Sequence, residues 1–300
     1  RVWAKHPVPA QSDENGAGPS GNNGIRARIE AAHAEFDPKQ STSRASYDAD
    51  IWKFQTGIDG MFTETASGKF IGGVYVQYGT VSSSVSSPFG NGSIESSGYG
   101  AGATLTWYGE SDFYIDGVAQ INWFDSDLNS ATLGRQLVDG NRAVGYSLSV
   151  ETGQKIEIGE GWSLTPQAQL AYSAIRFDDF KDAFDTSVSP ENDHDLTGRL
   201  GLAINRDAEW LDAQGRRVAM HIYGIGNLYY GFAGASKVDV SSVRFVSGNE
   251  RLRGGIGLGG TYDWADSKYS LYGETRFDTS LQNFGDSNVI AGSVGLRVRW

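Results

Sequence analysis

The 300-residue chain carries a formal net charge of -11 and contains no cysteine. The acidic balance argues against a nucleic-acid-binding protein, which needs a basic surface, and a chain without cysteine has neither disulfides nor thiolate chemistry. Mean hydropathy is -0.37, and no apolar run approaches the ~18 residues of a membrane-spanning helix. Forty glycines and 12% aromatic residues favour a β protein with tight turns.

Residues 1–24 differ in composition from the rest of the chain. Pro7, Pro9, Pro19 and the Gly/Asn-rich run at 15–24 disfavour a regular helix or strand. We predict a flexible lead-in over 1–24, followed by one domain over 25–300. No signal peptide opens the sequence, so we expect the targeting segment of an exported protein to lie elsewhere.

From residue 25 onwards the sequence alternates between apolar and polar residues in segments of roughly 10–18 residues, which predicts amphipathic β-strands. The predicted strands are 25–36, 50–63, 68–84, 94–109, 112–128, 143–158, 162–180, 194–210, 216–232, 250–265, 267–282 and 288–300. They number about twelve, and bacterial single-chain membrane barrels have an even number of antiparallel strands.

The predicted connections between strands alternate between short and long. Those after even-numbered strands are short, at 64–67, 109–112, 159–161, 212–215 and 265–268. Those after odd-numbered strands are long and polar, at 37–49, 85–93, 129–142, 181–193 and 233–249, with a brief exception at 283–287. Short turns on one side and long loops on the other are typical of an outer-membrane barrel with periplasmic turns and extracellular loops. We therefore predict an all-β, transmembrane, antiparallel β-barrel.

The charged residues of the last strands share one face. A charge turned towards lipid at mid-depth costs about 2–4 kcal/mol, so this face is expected to line the lumen. The predicted lumen-lining residues are Arg251, Arg253, Glu274, Arg276, Asp278, Arg297 and Arg299.

Many aromatic residues fall near predicted strand ends, where aromatic girdles meet the lipid headgroups. The predicted girdle contains Trp107, Tyr108, Trp123, Phe124, Trp162, Trp210, Tyr229, Tyr230, Trp264 and Trp300.

Several stretches resemble the translocator domain of autotransporters, the proteins of type V secretion. They are YDADIWKFQTGIDG at 47–60, SSPFGNG at 86–92, GYGAGATLTWYG at 98–109, GWSLTPQAQL at 161–170 and the terminal GLRVRW at 295–300. The resemblance covers about residues 25–300. It implies a twelve-stranded barrel in the Gram-negative outer membrane that takes part in moving an N-terminal passenger to the cell surface.

The resemblance also implies partners. The family's last strand, ending on an aromatic residue, is recognised by the barrel-assembly machinery, and this assembly signal corresponds to Val294, Leu296, Val298 and Trp300. The other expected partners are outer-membrane lipid and the barrel's own passenger, with no nucleic acid, and we expect a monomer. The family has a helix that precedes the first strand and threads the lumen, and residues 1–24 depart from that pattern.

The sequence gives little support for nucleotide binding, catalysis, metal binding or self-cleavage. The glycine motif at 255–260 lies inside an alternating strand, whereas a nucleotide-binding turn needs a following helix. His194, in the acidic loop at 192–195, and the acidic pairs 178–179 and 125/127 fit solvated charge better than catalysis or calcium binding. The Asn22–Asn23 pair, a possible self-cleavage site, fits a linker better. We predict no enzyme, no catalytic residue, no cofactor and no metal site.

Two alternatives remain open. The barrel could act through its own loops as an adhesin or hydrolase, or it could be a small porin. About twelve strands give a narrower lumen than the 16–18 strands of general porins.

Overall fold

A closed barrel of twelve antiparallel strands forms the molecule in a computed structural model, which describes residues 23–37, 40–190, 193–232, 236–240, 243–248 and 251–300. The barrel strands are β1 (Asn23–Phe36), β2 (Ser46–Thr65), β3 (Gly68–Ser87), β4 (Gly90–Gly109), β5 (Phe113–Ser130), β6 (Arg135–Gln154), β7 (Trp162–Phe177), β8 (Asp193–Leu211), β9 (Arg217–Gly231), β10 (Leu252–Trp264), β11 (Tyr269–Ser280) and β12 (Ser287–Arg299). Within the described ranges, no helix is long and apolar enough to cross a membrane.

The two ends of the sheet meet each other. β12 pairs with β1 in continuous register from Gly24 opposite Arg299 to Phe36 opposite Ser287. At the far side of the ring β7 pairs with both β6 and β8. The predicted all-β, twelve-stranded barrel is thus confirmed. Of the predicted lead-in, residues 1–22 lie outside the described residues, and Asn23 and Gly24 already belong to β1.

The barrel has an apolar exterior and a polar interior. Along β12 the side chains of Ile290, Val294 and Leu296 are each more than half exposed on the outside. The residues between them face inward, because successive side chains of a strand point to opposite faces. The other barrel strands repeat this alternation, although a register shift between Met61 and Thr63 interrupts it near the end of β2. The outer surface is therefore suited to lipid.

The five turns between β2 and β11 lie at one end of the barrel, as predicted. Four are short, and the connection after β6 contains a further short strand, Ile156–Gly159, that pairs with β7. In the turn after β8, the Asp212 carboxylate accepts hydrogen bonds at 2.9 Å from the backbone N–H groups of both Gln214 and Arg216. The Arg216 guanidinium adds a contact of 2.8 Å. These contacts, led by the Arg216 backbone N–H, lower the pKa of Asp212 below its ordinary value. The turn is thus held by charge-assisted hydrogen bonds that acid would weaken.

Two connections at the opposite end differ from the prediction. The segments 85–93 and 129–142, predicted as loops, are mostly strand: β3 continues to Ser87 and β4 begins at Gly90, while β5 continues to Ser130 and β6 begins at Arg135. A strand ladder is held by backbone hydrogen bonds and needs no apolar face, so the apolar periodicity stops before the strand does.

A second, smaller sheet joins three loops at this end of the barrel. Its strand order is 180–181, 187–190, 236–240, 243–248 and 40–41. The three long connections that follow β1, β7 and β9 are therefore paired with one another through their backbones.

The aromatic girdle is only partly as predicted. Trp162, Trp210, Tyr230 and Trp300 are more than 40% exposed on the outer surface, whereas Tyr108, Phe124 and Tyr229 face the lumen. The reason is the strand geometry: each inward residue directly follows or precedes an outward aromatic, and neighbours in a strand cannot share a face.

Glycines in the strands make room for neighbouring side chains on the inner wall. A Cβ atom added at Gly259 would lie 2.5 Å from the Tyr223 hydroxyl, and one added at Gly257 would lie 3.1 Å from Ile225. The glycine motif at 255–260 therefore serves packing inside β10, and no helix follows it. In the same way, the Tyr272 ring lies over Gly295 of β12.

We predict that Gly259→Val impairs barrel assembly, because the new side chain displaces the Tyr223 ring from its place against the wall. The heat-modifiable fraction on unboiled gels is expected to fall several-fold. Gly226→Val is the matched control, since a Cβ atom there meets nothing within 4 Å. Equal losses in both variants would contradict the packing role.

Candidate lumenal site

The candidate site is the inward-facing surface of the twelve strands, which we call the lumenal wall. It consists largely of polar and charged side chains that are shielded from bulk solvent by their neighbours. Examples of buried polar residues on it are Thr106, Asp116, Asn122, Glu151, Arg199, Asn205, Arg253 and Asp278. A surface of this kind can donate hydrogen bonds to a hydrated polypeptide within the barrel and accept hydrogen bonds from it.

The predicted lumen-lining residues occupy two kinds of position. Arg251 precedes β10 and is exposed. Asp278 is 1% exposed and Arg253 is 9% exposed. The six predicted residues other than Arg251 all face the lumen from the last three strands: Arg253 on β10, Glu274, Arg276 and Asp278 on β11, and Arg297 and Arg299 on β12.

Arg199 on β8 is the centre of a hydrogen-bond network on one side of the wall. Its guanidinium donates to Glu151 at 2.6 Å and to Asn227 at 2.7 Å. It also donates to Gln167 at 3.1 Å and Gln169 at 3.3 Å. One arginine thereby links four consecutive strands, β6 to β9.

Glu151 is satisfied on both oxygens. Its Oε2 accepts from Arg199, and its Oε1 accepts from the Tyr114 hydroxyl at 2.7 Å. Sequence analysis missed this pair, although one signal was present: Glu151 continues the inward series Ser147, Ser149 and is the only charge in it. A lone charge in an inward series calls for a partner on a neighbouring strand.

A second charged cluster lies where the barrel closes, on β1 and β2. Lys53 Nζ lies 2.8 Å from Glu30, and Arg28 lies 3.7 Å from the same carboxylate. Arg26 lies 3.3 Å from Asp59 and directly opposite Arg297 in the β1–β12 register. Like charges directly opposite each other destabilise an antiparallel pair, so this cluster is less well balanced than the Arg199 network.

The residues considered for other chemistry lie apart from both clusters. His194 is exposed near the start of β8, and Asp125 and Asp127 point outward near the end of β5. In the part of the chain that the structure describes, no group of three or more His, Asp or Glu residues could hold a metal ion.

The family of the chain follows from a match to a family model. Residues 27–276 match the autotransporter beta-domain. The chain belongs to this family. The predicted resemblance to the autotransporter translocator domain is thus confirmed.

Individual relatives agree. The chain is 99% identical over 300 residues to the adhesin BmaC autotransporter of Brucella suis biovar 1 (strain 1330), a match that covers all of this chain and 9% of that protein. It is 25% identical over 274 residues to the probable autotransporter YfaL of Escherichia coli (strain K12), covering 90% of this chain and 20% of that protein. The chain thus spans a small part of these relatives' length.

Solved structures show the same fold. The transport unit of the autotransporter AIDA-I from Escherichia coli superposes with a TM-score of 0.74 at 16% identity, covering 100% of this chain and 96% of that one. The beta domain of the Bordetella autotransporter BrkA gives a TM-score of 0.70 at 19% identity, covering 92% and 99%.

In this autotransporter barrel the final strand is accessible from the outside. The predicted assembly residues Val294 and Leu296 lie opposite Ile29 and Ala27 of β1, and Val298 is half-buried near the strand end. Trp300 is 60% exposed, and its backbone N–H donates to Asn23 at 3.1 Å. The last residue of the chain thus meets the first residue of β1.

We predict that Arg199→Ala lowers the free energy of unfolding by about 3–5 kcal/mol, because it leaves the Glu151 carboxylate buried without its charge partner. Urea unfolding of the detergent-solubilised barrel measures the change. Lys181→Ala is the control, since it removes an exposed contact of 2.7 Å with Asp185, which is worth at most about 1 kcal/mol. Similar effects of the two variants would contradict a structural role for the Arg199 network.

Proposed function

We propose that this barrel is the outer-membrane translocator of a Gram-negative autotransporter and mediates secretion and surface display of an N-terminal passenger. The observation that carries the proposal is the closed ring of strands with an apolar exterior and a polar lumenal wall. Such a barrel satisfies its backbone in lipid and offers a hydrated passage. The family membership supports the same function.

The mechanism proposed for translocation is physical and involves no turnover. A polypeptide in the lumen exchanges hydrogen bonds with water for hydrogen bonds with the wall, so its backbone remains solvated during passage. The wall carries both signs of charge, which limits the attraction of any uniform sequence.

A hydrolase is the weaker alternative. Two histidines form pairs with aspartates, His33 with Asp50 at 2.7 Å and His221 with Asp207 at 2.6 Å. A serine hydrolase needs the other imidazole nitrogen to face a serine hydroxyl. For His33 that nitrogen faces Glu35 at 3.6 Å. This contact disfavours His33 as the base of a hydrolase, and we propose a barrel without catalytic activity of its own.

The remaining expected partners are also part of the proposal. Outer-membrane lipid surrounds the apolar exterior, and the barrel-assembly machinery recognises Val294, Leu296, Val298 and Trp300. We propose that the barrel functions as a monomer.

The translocator function predicts that an epitope fused ahead of residue 1 reaches the cell surface. Antibody labelling and protease accessibility on intact cells measure the display. We expect labelling in proportion to the heat-modifiable barrel found in the outer membrane. A folded barrel in that membrane with an epitope that stays inaccessible would overturn the proposal.

The assembly role predicts that Trp300→Ser reduces the outer-membrane level of the barrel several-fold. Trp210→Ser is the matched control, since Trp210 is also an exposed tryptophan at the turn end of the barrel but lies on β8. Deletion of β12 should abolish assembly, because β1 would lose its partner along its whole length. Normal membrane levels of Trp300→Ser would count against recognition of the terminal residue.

A further inference from the structure

Large apolar residues lie at the tips of the connections at the end of the barrel opposite the short turns. Four of the six connections at this end, those after β3, β5, β7 and β11, each carry one. They are Phe89, Leu133, Phe184 and Phe284, with exposed fractions of 80%, 55%, 56% and 80%. Chain reversals are ordinarily built from Gly, Pro, Asn, Asp and Ser, so an apolar tip that recurs four times calls for an explanation. We call these four residues the apolar crown.

The turns at the opposite end of the barrel provide an internal comparison. There are five of them, they face water in the same way, and the structure describes all of their residues. Their tips contain only small, polar or charged residues, at 66–67, 110–112, 160–161, 212–216 and 265–268. Single exposed apolar residues are common on protein surfaces, but a set confined to the tips at one end indicates a contact that is made only there.

The crown residues are held in defined turns. In three of the four, the backbone N–H of the crown residue donates to a side-chain oxygen two or three residues earlier: Phe89 to Ser87 at 3.2 Å, Leu133 to Ser130 at 3.2 Å, and Phe184 to Asp182 at 2.8 Å. A contact residue that is already ordered loses little conformational entropy when a partner binds. The crown is therefore preorganised for binding.

Neighbouring tips are also joined to one another. The Asn91 N–H donates to the Thr132 hydroxyl at 2.8 Å, and the Asn91 carbonyl accepts from the Ala131 N–H at 3.0 Å, so the turns that carry Phe89 and Leu133 are bonded together. The Arg135 guanidinium lies 5.0 Å from the centre of the Phe184 ring. Three of the four crown residues thus belong to one connected framework.

The crown lies too far from the lipid to be covered by it. The stacked rings of Tyr99 and Trp123, 5.5 Å apart, are the last aromatic residues on the outer faces of β4 and β5. Beyond them the outward residues of these strands are polar: Ser97, Glu95, Ser93, Asp125 and Asp127. The nine residues of β4 between Tyr99 and the turn span roughly 20 Å along the barrel axis, given the rise and tilt of barrel strands. Phe89 is therefore well outside the hydrocarbon.

We propose that the apolar crown is a docking surface for the passenger and binds an apolar face of the passenger's membrane-proximal part. This rests on the proposed function, which brings the passenger out of the lumen at this end. The four tips belong to strands spread around the ring, so a partner that contacts all of them lies over the mouth of the lumen. Lipid and saccharide of the outer leaflet surround the barrel from the side instead.

The size of the passenger fits this position. The match to the adhesin BmaC autotransporter covers only 9% of that protein, and a passenger of comparable length is large enough to cover the mouth of the barrel. Aromatic residues are enriched in protein–protein interfaces, and three of the four crown residues are phenylalanines. The crown would hold the base of the passenger after its exit from the lumen.

Thiol labelling on intact cells tests this proposal, because the chain has no cysteine of its own. Phe89→Cys is placed in the 300-residue chain alone and in the same barrel joined to its natural passenger. Glu95→Cys is the matched control, since Glu95 is exposed on the outward face of the same strand below the crown. A water-soluble maleimide is applied, and the label is quantified by mass spectrometry on the peptide that contains the new cysteine. Phe284→Cys replaces Phe89→Cys if that variant does not assemble.

We expect the passenger to slow labelling of Phe89→Cys at least fivefold and to change labelling of Glu95→Cys less than twofold. Adding Leu133→Ser, Phe184→Ser and Phe284→Ser should return the labelling rate at residue 89 to within twofold of the rate without passenger. The apolar replacements Leu133→Met, Phe184→Leu and Phe284→Leu should preserve the protection. Rates are compared only among variants with equal heat-modifiability.

Three outcomes would overturn the proposal. The first is equal labelling of Phe89→Cys with and without the passenger, and the second is protection that survives the three serine substitutions. The third is protection that is already complete in the 300-residue chain, which would mean that saccharide or a second barrel covers the tips.

Failure of the proposed function has a different signature. If the passenger is displayed on the cell surface while residue 89 stays unprotected, the translocator function stands and docking on the crown is wrong. If a folded barrel in the outer membrane displays no passenger, the translocator function itself is wrong, and the docking proposal is wrong with it.

Discussion

The whole molecule depends on the pairing of its last strand with its first. In the hydrocarbon region no water is present to satisfy backbone N–H and C=O groups, so a membrane-spanning sheet cannot leave an open edge. β12 meets β1 residue by residue from Gly24–Arg299 to Phe36–Ser287. Until this pairing forms, both edges carry unpaired backbone groups along their full length. Trp300 and the apolar, outward-facing residues of β12 therefore belong to the strand whose pairing with β1 closes the barrel.

Closure also fixes what each side chain faces. Because side chains alternate along a strand, a closed sheet with an apolar outside must place every second residue in the lumen. The inward residues are polar, and they are brought close enough to need partners. Two arrangements accommodate these inward residues. The Arg199 guanidinium donates hydrogen bonds to acceptors on neighbouring strands, and glycines such as Gly259 allow the Tyr223 ring to lie against the wall.

Period-2 alternation made most of this fold predictable from the sequence. It located the twelve strands, the short turns and the lipid-facing side of β12, since all of these follow from the apolar pattern. It did not predict the strand extensions around Ser87 and Ser130, because the ladder there continues without an apolar face. The irregularity between Met61 and Thr63 in the β2–β3 register was likewise not visible in the pattern.

The site was less predictable than the fold. Alternation places Glu151 and Arg199 on the inward face, but their sequence positions are 48 residues apart, and only the registers of β6, β7 and β8 bring them together. The girdle prediction erred for a related reason. Tyr108 and Tyr229 were assigned by their place near strand ends, whereas the face they occupy is decided by the parity of their positions.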